Sequence, residues 1–214
     1  MSHERPVRFC VIVPVKAAAY AKSRLSPLGD LARRELVAAF AADTVTAALR
    51  SPRVGAVLVV TDDHVLASGL RDLGAHVVPD GAADDLNASL AQAAAEGHRR
   101  WPELRTAALC ADLPALDTHQ LTAALEVASR HAAAFVSDTA GDGTTMLAAA
   151  SRRDFLPRFG PQSRDAHLAD GAHEIDEIDV PTLHRDVDTP ADLADAVALG
   201  VGRRTTTVTR SLRL

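Results

Sequence analysis

The sequence has few aromatic residues, few cysteines and no long apolar run. Phe, Trp and Tyr make up 3% of the 214 residues, so the hydrophobic core must be built from Ala, Val and Leu. No segment approaches the roughly 20 apolar residues that a membrane-spanning helix requires. The polar residues 1–8 are not followed by the apolar run of a signal peptide. We therefore expect a protein that does not contact a membrane.

Cysteine occurs twice, and Cys10 and Cys110 each lie inside an apolar run. Such cysteines usually behave as small buried hydrophobic residues rather than as disulfide halves or nucleophiles. A chain with this cysteine usage is expected in the reducing cytoplasm.

Excess positive charge is also missing. The net charge is −5 at pH 7, and no basic stripe with interleaved aromatic residues occurs, which argues against a nucleic-acid partner. Only residues 201–214 are locally basic and rich in Thr, and we interpret them as a basic tail with a frayed or loosely packed end. Nothing in the sequence specifies an oligomeric state.

Apolar runs alternate with segments of helical periodicity along the chain. The pattern predicts strands at residues 9–13, 54–60, 75–78, 106–111, 132–137 and 144–149, and helices at 31–49, 64–73, 86–98, 118–129 and 192–199. Residues 174–180 alternate polar and apolar, which favours an edge or antiparallel strand. Four successive strand-then-helix units predict an α/β fold with a mostly parallel mixed sheet and helices on both faces. We expect a single Rossmann-like domain over residues 1–214, with its core at about 7–200.

A basic loop follows the first predicted strand. It carries Lys16, Lys22 and Arg24 before the first predicted helix. In sheets of this kind, ligands bind beyond the carboxyl ends of the strands. Backbone N–H groups and cations there are suited to a nucleoside triphosphate, although a solvated basic loop is the alternative. The Gly-rich Walker pattern of a P-loop is absent.

Three aspartates are candidates for a metal site. Asp112 follows a buried strand, and Asp186 and Asp188 are two residues apart, so they share one side of an extended segment. Two such carboxylates repel each other unless a cation lies between them, and Mg²⁺ prefers oxygen ligands of this kind. Turn formation is the alternative for Asp112, and helix capping before Pro190 is the alternative for Asp188. Capping does not explain Asp186.

Two glycine-containing loops, at residues 138–145 and 159–167, complete the polar set. The second loop resembles a helix start, where Ser163 with the nearby Arg158 and Arg164 would bind a phosphate or carboxylate. His167 lies four residues after Ser163, on the same helical face. A lone histidine near a loop more often has a structural role.

One further polar residue opens a helix. Asn87 is either the N-cap of the helix predicted from residue 86 or a polar group that faces a nucleotide. The histidines show no metal-ligand spacing such as H-E-x-x-H, so a zinc site is not expected.

Together these segments resemble the guanylyltransferases of deazaflavin coenzyme F-420 biosynthesis, which act on 2-phospho-L-lactate or phosphoenolpyruvate. The resemblance covers about residues 9 to 200. Its more specific elements are Lys-x₅-Lys-Ser-Arg-Leu from Lys16 and Phe-Gly-Pro-x-Ser-x₃-His from Phe159. The Asp-Leu-Pro element at Asp112 and the Asp-Thr-Pro element at Asp188 are shared with other nucleotidyltransferases of the same fold.

The resemblance implies a GT-A-type nucleotidyltransferase that uses Mg²⁺ to transfer GMP from GTP to a phosphorylated acid, with release of pyrophosphate. The residues it implies are Asp112, Asp186 and Asp188 for the metal; Lys16, Lys22, Arg24 and Asp112 for catalysis; Lys16, Lys22, Arg24 and Asn87 for the nucleotide; and Thr145, Gly160, Ser163 and His167 for the acid. The Ala- and Arg-rich composition favours phosphoenolpyruvate by analogy with relatives from high-GC bacteria.

Two alternatives stay open. The acceptor could instead be 3-phosphoglycerate, a sugar phosphate or molybdopterin, although the Gly-Gly-x-Ser-x-Arg-Met loop typical of the last two classes is missing after the first strand. The chain could also be a non-catalytic nucleotide-binding regulator, which retention of all three aspartates disfavours.

Overall fold

The computed structural model describes residues 6–15, 25, 29–82 and 85–212. The elements in chain order are β1 (Phe9–Pro14), α1 (Asp30–Arg50), β2 (Val54–Val60), α2 (His64–Asp72), β3 (His76–Val78), α3 (Leu86–Arg100), β4 (Arg105–Leu109), α4 (Thr118–Ala128), β5 (Ala133–Ser137), β6 (Thr144–Ala149), α5 (Ser163–Ala169), β7 (His173–Glu174), α6 (Pro181–His184), α7 (Pro190–Leu199) and α8 (Arg203–Leu212).

The strands form one seven-stranded sheet in the order β3-β2-β1-β4-β6-β5-β7. β1, β2, β3 and β4 run parallel to one another, and β7 runs parallel to β5. Among the described strands, β6 alone is antiparallel to its neighbours, which are β4 and β5. The predicted α/β class with a mostly parallel mixed sheet is therefore confirmed.

Helices cover both faces of the sheet because the strand side chains alternate between two cores. Along β1, Val11 and Val13 belong to the cluster that includes residues of α1 and α4. Cys10 and Ile12 point the other way, into the cluster that includes residues of α3. Buried apolar side chains are mostly Ala, Val and Leu, as the scarcity of aromatic residues predicted.

Several predicted boundaries shift, most of them by one or two residues. The first helix begins at Asp30, one residue before its predicted start, and Gly29 with φ 88° occupies the N-cap position. The strand predicted at 106–111 leaves regular pairing after Leu109. The strand predicted at 174–180 is confined to His173–Glu174, because only one neighbour, β5, is available to it at the sheet edge.

Residues 203–212 of the basic tail are helical, which corrects the interpretation of a frayed or loosely packed end. They form α8, and the buried carboxylate of Asp43 in α1 accepts hydrogen bonds from the backbone N–H groups of Arg204 and Thr205, at 3.1 and 2.8 Å. The buried side of the helix includes Thr205 and Thr209, and the Thr209 hydroxyl donates to the Thr205 carbonyl at 3.0 Å. The apolar pattern was missed because threonine hydroxyls that bond to the preceding turn can be buried.

No helix in the described part of the chain combines the length and the apolar character needed to cross a membrane.

Candidate functional site

The sheet order creates a crevice between β1 and β4. The chain moves from β1 outwards to β2 and β3, and then returns to place β4 on the other side of β1. Loops leaving the carboxyl ends of such neighbouring strands diverge, and ligands bind at that point in open α/β sheets. The loop after β1 and the segment after β4 are therefore the first places to look for a site.

Three aspartates meet at this edge. A backbone hydrogen bond of 3.0 Å from the Val187 N–H to the Asp112 carbonyl joins the segment after β4 to the segment between α6 and α7. The Val187 side chain is fully buried against apolar residues that include Leu193. Because neighbouring side chains in an extended segment point to opposite sides, Asp186 and Asp188 both turn away from that core. One carboxylate oxygen from each of Asp112, Asp186 and Asp188 lies within 4.8 Å of the others.

Helix capping does not account for Asp188. Thr189 is the N-cap of α7, and its hydroxyl accepts from the Asp192 N–H at 3.2 Å. The Asp192 carboxylate accepts from the Thr189 N–H at 2.8 Å, which completes a capping box. The half-buried Asp188 carboxylate thus joins the aspartate cluster while its two neighbours cap the helix.

A cleft of about 670 Å³ lies beside the aspartates. Asp186 and Asp188 line it, together with Gly143 and Gly160 of the two glycine loops. The loops are tied together by a 3.1 Å hydrogen bond from the Arg164 N–H to the Asp142 carbonyl. A cleft of this volume is large enough for a small-molecule ligand.

Sequence reasoning missed two residues that line the cleft, Asp138 and Arg185. Asp138 accepts from the Gly141 N–H at 2.7 Å and shapes the first glycine loop. Arg185 lies 3.6 Å from Asp192 and 3.4 Å from Asp195. The sequence signal for Arg185 was its position directly before Asp186, because a residue there is expected near a ligand of the aspartates.

His167 lies behind the wall of the cleft. The residue is 0% exposed, and its ring packs near Phe135 and Phe159. Its Nε2 accepts from the Arg158 N–H at 3.1 Å, so the ring proton is on Nδ1, which donates to the Thr144 hydroxyl at 2.9 Å. Burial lowers the pKa of His167 to about 4, which keeps the ring neutral. Both nitrogens are thus bonded within the protein, and the predicted contact of His167 with the acid stays a prediction.

Asn87 is bonded to the same loop. Its Oδ1 accepts from the Phe159 N–H at 2.8 Å, and its Nδ2 donates to the Phe159 carbonyl at 3.0 Å. The N-cap of α3 is Asp85, which accepts from the N–H groups of Asn87 and Ala88. The interpretation of Asn87 as the N-cap is therefore wrong. Its side-chain amide, for which a contact with the nucleotide was the other prediction, is hydrogen-bonded to the backbone of Phe159.

The two arginines expected near Ser163 are held by carboxylates. Arg158 donates to Asp170 at 2.8 Å, and Arg164 donates twice to Glu174, at 2.8 and 2.7 Å. These hydrogen bonds raise the pKa of both guanidinium groups above the usual value. The predicted use of these arginines for a free phosphate or carboxylate is therefore not supported.

Thr145 and Ser163 are both about 1% exposed. Ser163 directly follows Gln162, and Thr145 is two residues after Gly143, both of which line the cleft. The Thr145 hydroxyl donates to the Val136 carbonyl at 3.4 Å, and the Ser163 N–H donates to the Gly160 carbonyl at 3.2 Å. Gly160, with φ 132°, lines the cleft itself.

The predicted triphosphate residues Lys16, Lys22 and Arg24 lie outside the described residues. Val15 and Leu25 are described residues on either side of this segment. The Val15 N–H donates to the Val60 carbonyl at 2.9 Å, and Leu25 is fully buried.

Comparison with known proteins assigns the chain to a family. Residues 9–214 match the family model described as guanylyl transferase CofC like. A phosphoenolpyruvate guanylyltransferase of Streptomyces avermitilis is 50% identical over 200 residues, which cover 93% of this chain and 93% of the relative. A protein of the same name from Thermomonospora curvata is 45% identical over 204 residues, covering 95% and 90%.

Solved structures confirm the nucleotidyltransferase-type fold. A protein from Desulfovibrio desulfuricans G20, described as a candidate nucleotide-diphospho-sugar transferase, superposes with a TM-score of 0.66 at 15% identity, covering 97% of this chain and 99% of its own. A CMP:2-keto-3-deoxy-manno-octonic acid synthetase complexed with CTP gives a TM-score of 0.57 at 17% identity, covering 90% and 98%. A Mycobacterium tuberculosis H37Rv protein in complex with manganese gives 0.54 at 19% identity, covering 90% and 100%.

Proposed function

Because the chain belongs to the family of CofC-like guanylyl transferases, we propose that it transfers GMP from GTP to phosphoenolpyruvate, releasing pyrophosphate, in the biosynthesis of deazaflavin coenzyme F-420. The family resemblance and the nucleotidyltransferase class predicted from the motifs are confirmed. The choice of phosphoenolpyruvate is supported by the names of relatives that are 43–50% identical to this chain.

The convergence of three carboxylates is the observation that carries the proposal. Asp112, Asp186 and Asp188 come from two distant segments, yet they present oxygen atoms within 4.8 Å of one another beside the cleft. This donor set fits Mg²⁺, which is usually bound by one or two carboxylates together with substrate phosphates. We assign the metal to these residues, where it would neutralise charge on the triphosphate and orient it.

The reaction joins two anions. An oxygen of the acid's phosphate attacks the α-phosphorus of GTP; the new P–O bond forms as the bond to the pyrophosphate oxygen breaks. A phosphate monoester has a second pKa of about 6, so it is largely ionised at pH 7 and no general base is required. This agrees with the buried, neutral state of His167. The chain's task is to offset repulsion and align the two groups.

The other assignments follow the resemblance. We place Lys16, Lys22 and Arg24 against the triphosphate, and Thr145, Gly160 and Ser163 around the acid. For Thr145 and Ser163 the burial of the whole residue supports a role in forming the wall of the acid site. We also propose a cytoplasmic location, which the low cysteine content supports.

Pyrophosphate release tests the proposal. The purified protein is incubated with Mg²⁺ and GTP, and with phosphoenolpyruvate, 2-phospho-L-lactate, 3-phosphoglycerate or no acceptor. Release that depends on phosphoenolpyruvate is expected. Release with 2-phospho-L-lactate or 3-phosphoglycerate alone would change the acceptor, and GTP binding without release under any condition would favour the regulator alternative.

The metal assignment has its own test. Asp112→Asn and Asp188→Asn remove one negative charge each while preserving side-chain shape, and each should lower kcat by about 100-fold or more. Asp72→Asn, at an exposed position at the end of α2, is the matched control and should behave as wild type. Near-wild-type activity in both Asp112→Asn and Asp188→Asn would overturn the assignment.

A further inference from the structure

Two side chains from different helices form hydrogen bonds to one short stretch of backbone beside the cleft. The side-chain amide of Asn87, in α3, makes two hydrogen bonds to the Phe159 backbone, at 2.8 and 3.0 Å. His167 of α5 accepts from the adjacent Arg158 N–H at 3.1 Å. Three hydrogen bonds thus fix two consecutive residues that belong to no helix or strand.

His167 is itself hydrogen-bonded to the sheet. The His167 Nδ1–H donates to the hydroxyl of Thr144 in β6, so the ring bridges the sheet and the loop. The Phe159 ring meets the imidazole edge to face, with ring centroids 5.6 Å apart and an interplanar angle of 76°. Because the ring is buried and both nitrogens are bonded, it has little freedom to rotate.

These hydrogen bonds fix the backbone directly before Gly160. Gly160 follows Phe159 directly and lines the cleft together with Pro161. Gly160 adopts φ 132°, a conformation available almost only to glycine. Its nitrogen is bonded to the Phe159 carbonyl carbon, so the placement of Phe159 sets where Gly160 begins. Asp186 and Asp188 line the same cleft.

We propose that Asn87 and His167 are positioning residues for the acid acceptor. They act by holding the Arg158–Phe159 backbone, which places Gly160 in the lining of the cleft. The inference rests on the proposed function, because it takes the Gly160 side of the cleft as the acceptor side. It replaces a direct substrate contact by either residue with an action through the loop.

Asn87→Ala is the first test variant, because Asn87 is half-buried and the N-cap of its helix, Asp85, is left intact. Loss of the two hydrogen bonds to Phe159 should raise KM for phosphoenolpyruvate by about tenfold or more, while KM for GTP stays within about twofold of wild type. A purely structural role would lower the melting temperature without separating the two KM values. His98→Ala, at an exposed position on the same helix, is the control.

A pair of His167 variants tests the second contact. His167→Gln can place an amide oxygen near the position of Nε2 and accept from Arg158, whereas the shorter His167→Asn cannot reach that N–H. We expect the acceptor KM of His167→Gln to lie much closer to wild type than that of His167→Asn. Should neither His167 variant fold, Asn87→Ala alone decides.

The outcomes separate the two proposals. If wild-type protein releases no pyrophosphate with any acid, the proposed function fails, and this inference falls with it. If the wild type is active and folded Asn87→Ala keeps its acceptor KM, or shifts both KM values equally, the positioning role alone is refuted.

Discussion

Acidification should weaken the fold through one buried histidine, and the magnitude follows from its surroundings. His167 is neutral in the folded chain, since its Nε2 accepts the Arg158 N–H and its pKa is lowered to about 4, first by burial and also by the charge of Arg158. Asp170 acts in the opposite direction but does not compensate. In the unfolded chain the pKa of the same ring returns to about 6.5.

The sign follows from proton binding. Between pH 6.5 and about 4 the unfolded chain binds a proton at this ring that the folded chain does not, so stability falls as the pH is lowered through that window. At about 1.4 kcal/mol for each unit of pH, the loss is about 2 kcal/mol by pH 5 and about 3 kcal/mol by pH 4. Above pH 6.5 the effect of the ring is constant.

Denaturant unfolding followed by the fluorescence of Trp101 measures this loss at pH 7, 6, 5 and 4.5. Wild type should lose about 2 kcal/mol more than His167→Gln between pH 7 and 5, since glutamine does not titrate. His98→Gln removes an exposed histidine and should keep the wild-type slope. Parallel curves for wild type and His167→Gln would refute the reasoning.

Two further variants test the helix ends. Asp43→Ala removes the acceptor of the Arg204 and Thr205 N–H groups, so it should lower the unfolding free energy by about 1–3 kcal/mol and speed proteolysis within α8. Arg210→Ala, at an exposed position, is the control, and equal protease resistance of the two variants would contradict the role of Asp43. Thr189→Ala should cost about 1 kcal/mol and weaken Mg²⁺-dependent activity, because the capping box holds the segment next to Asp188. An unchanged melting temperature and Mg²⁺ requirement would show that the box is dispensable.

Local patterns were enough for the elements of the fold. The boundaries of β2 match the predicted 54–60, and α4 begins at the predicted residue 118, with Asp117 as an N-cap that accepts from the N–H groups of His119 and Gln120. Such features depend on side-chain periodicity and on residues two or three positions away, which the sequence displays directly. The placement of Asp112 at the ligand edge was also accessible, because ligands bind beyond the carboxyl ends of parallel strands. The spacing of Asp186 and Asp188 likewise puts them on one side of an extended segment.

The partners of the polar side chains were decided by the tertiary structure. Asn87 bonds to a backbone 72 residues away, and Asp43 caps a helix that begins about 160 residues later in the chain. A side-chain amide, carboxylate or imidazole bonds equally well to a substrate or to a buried peptide group, so residue type alone does not reveal which one it meets. The sequence by itself predicted the sheet, its ligand edge and the aspartates there; the packing of distant segments decided that Asn87 and His167 bond to the backbone of residues 158–159.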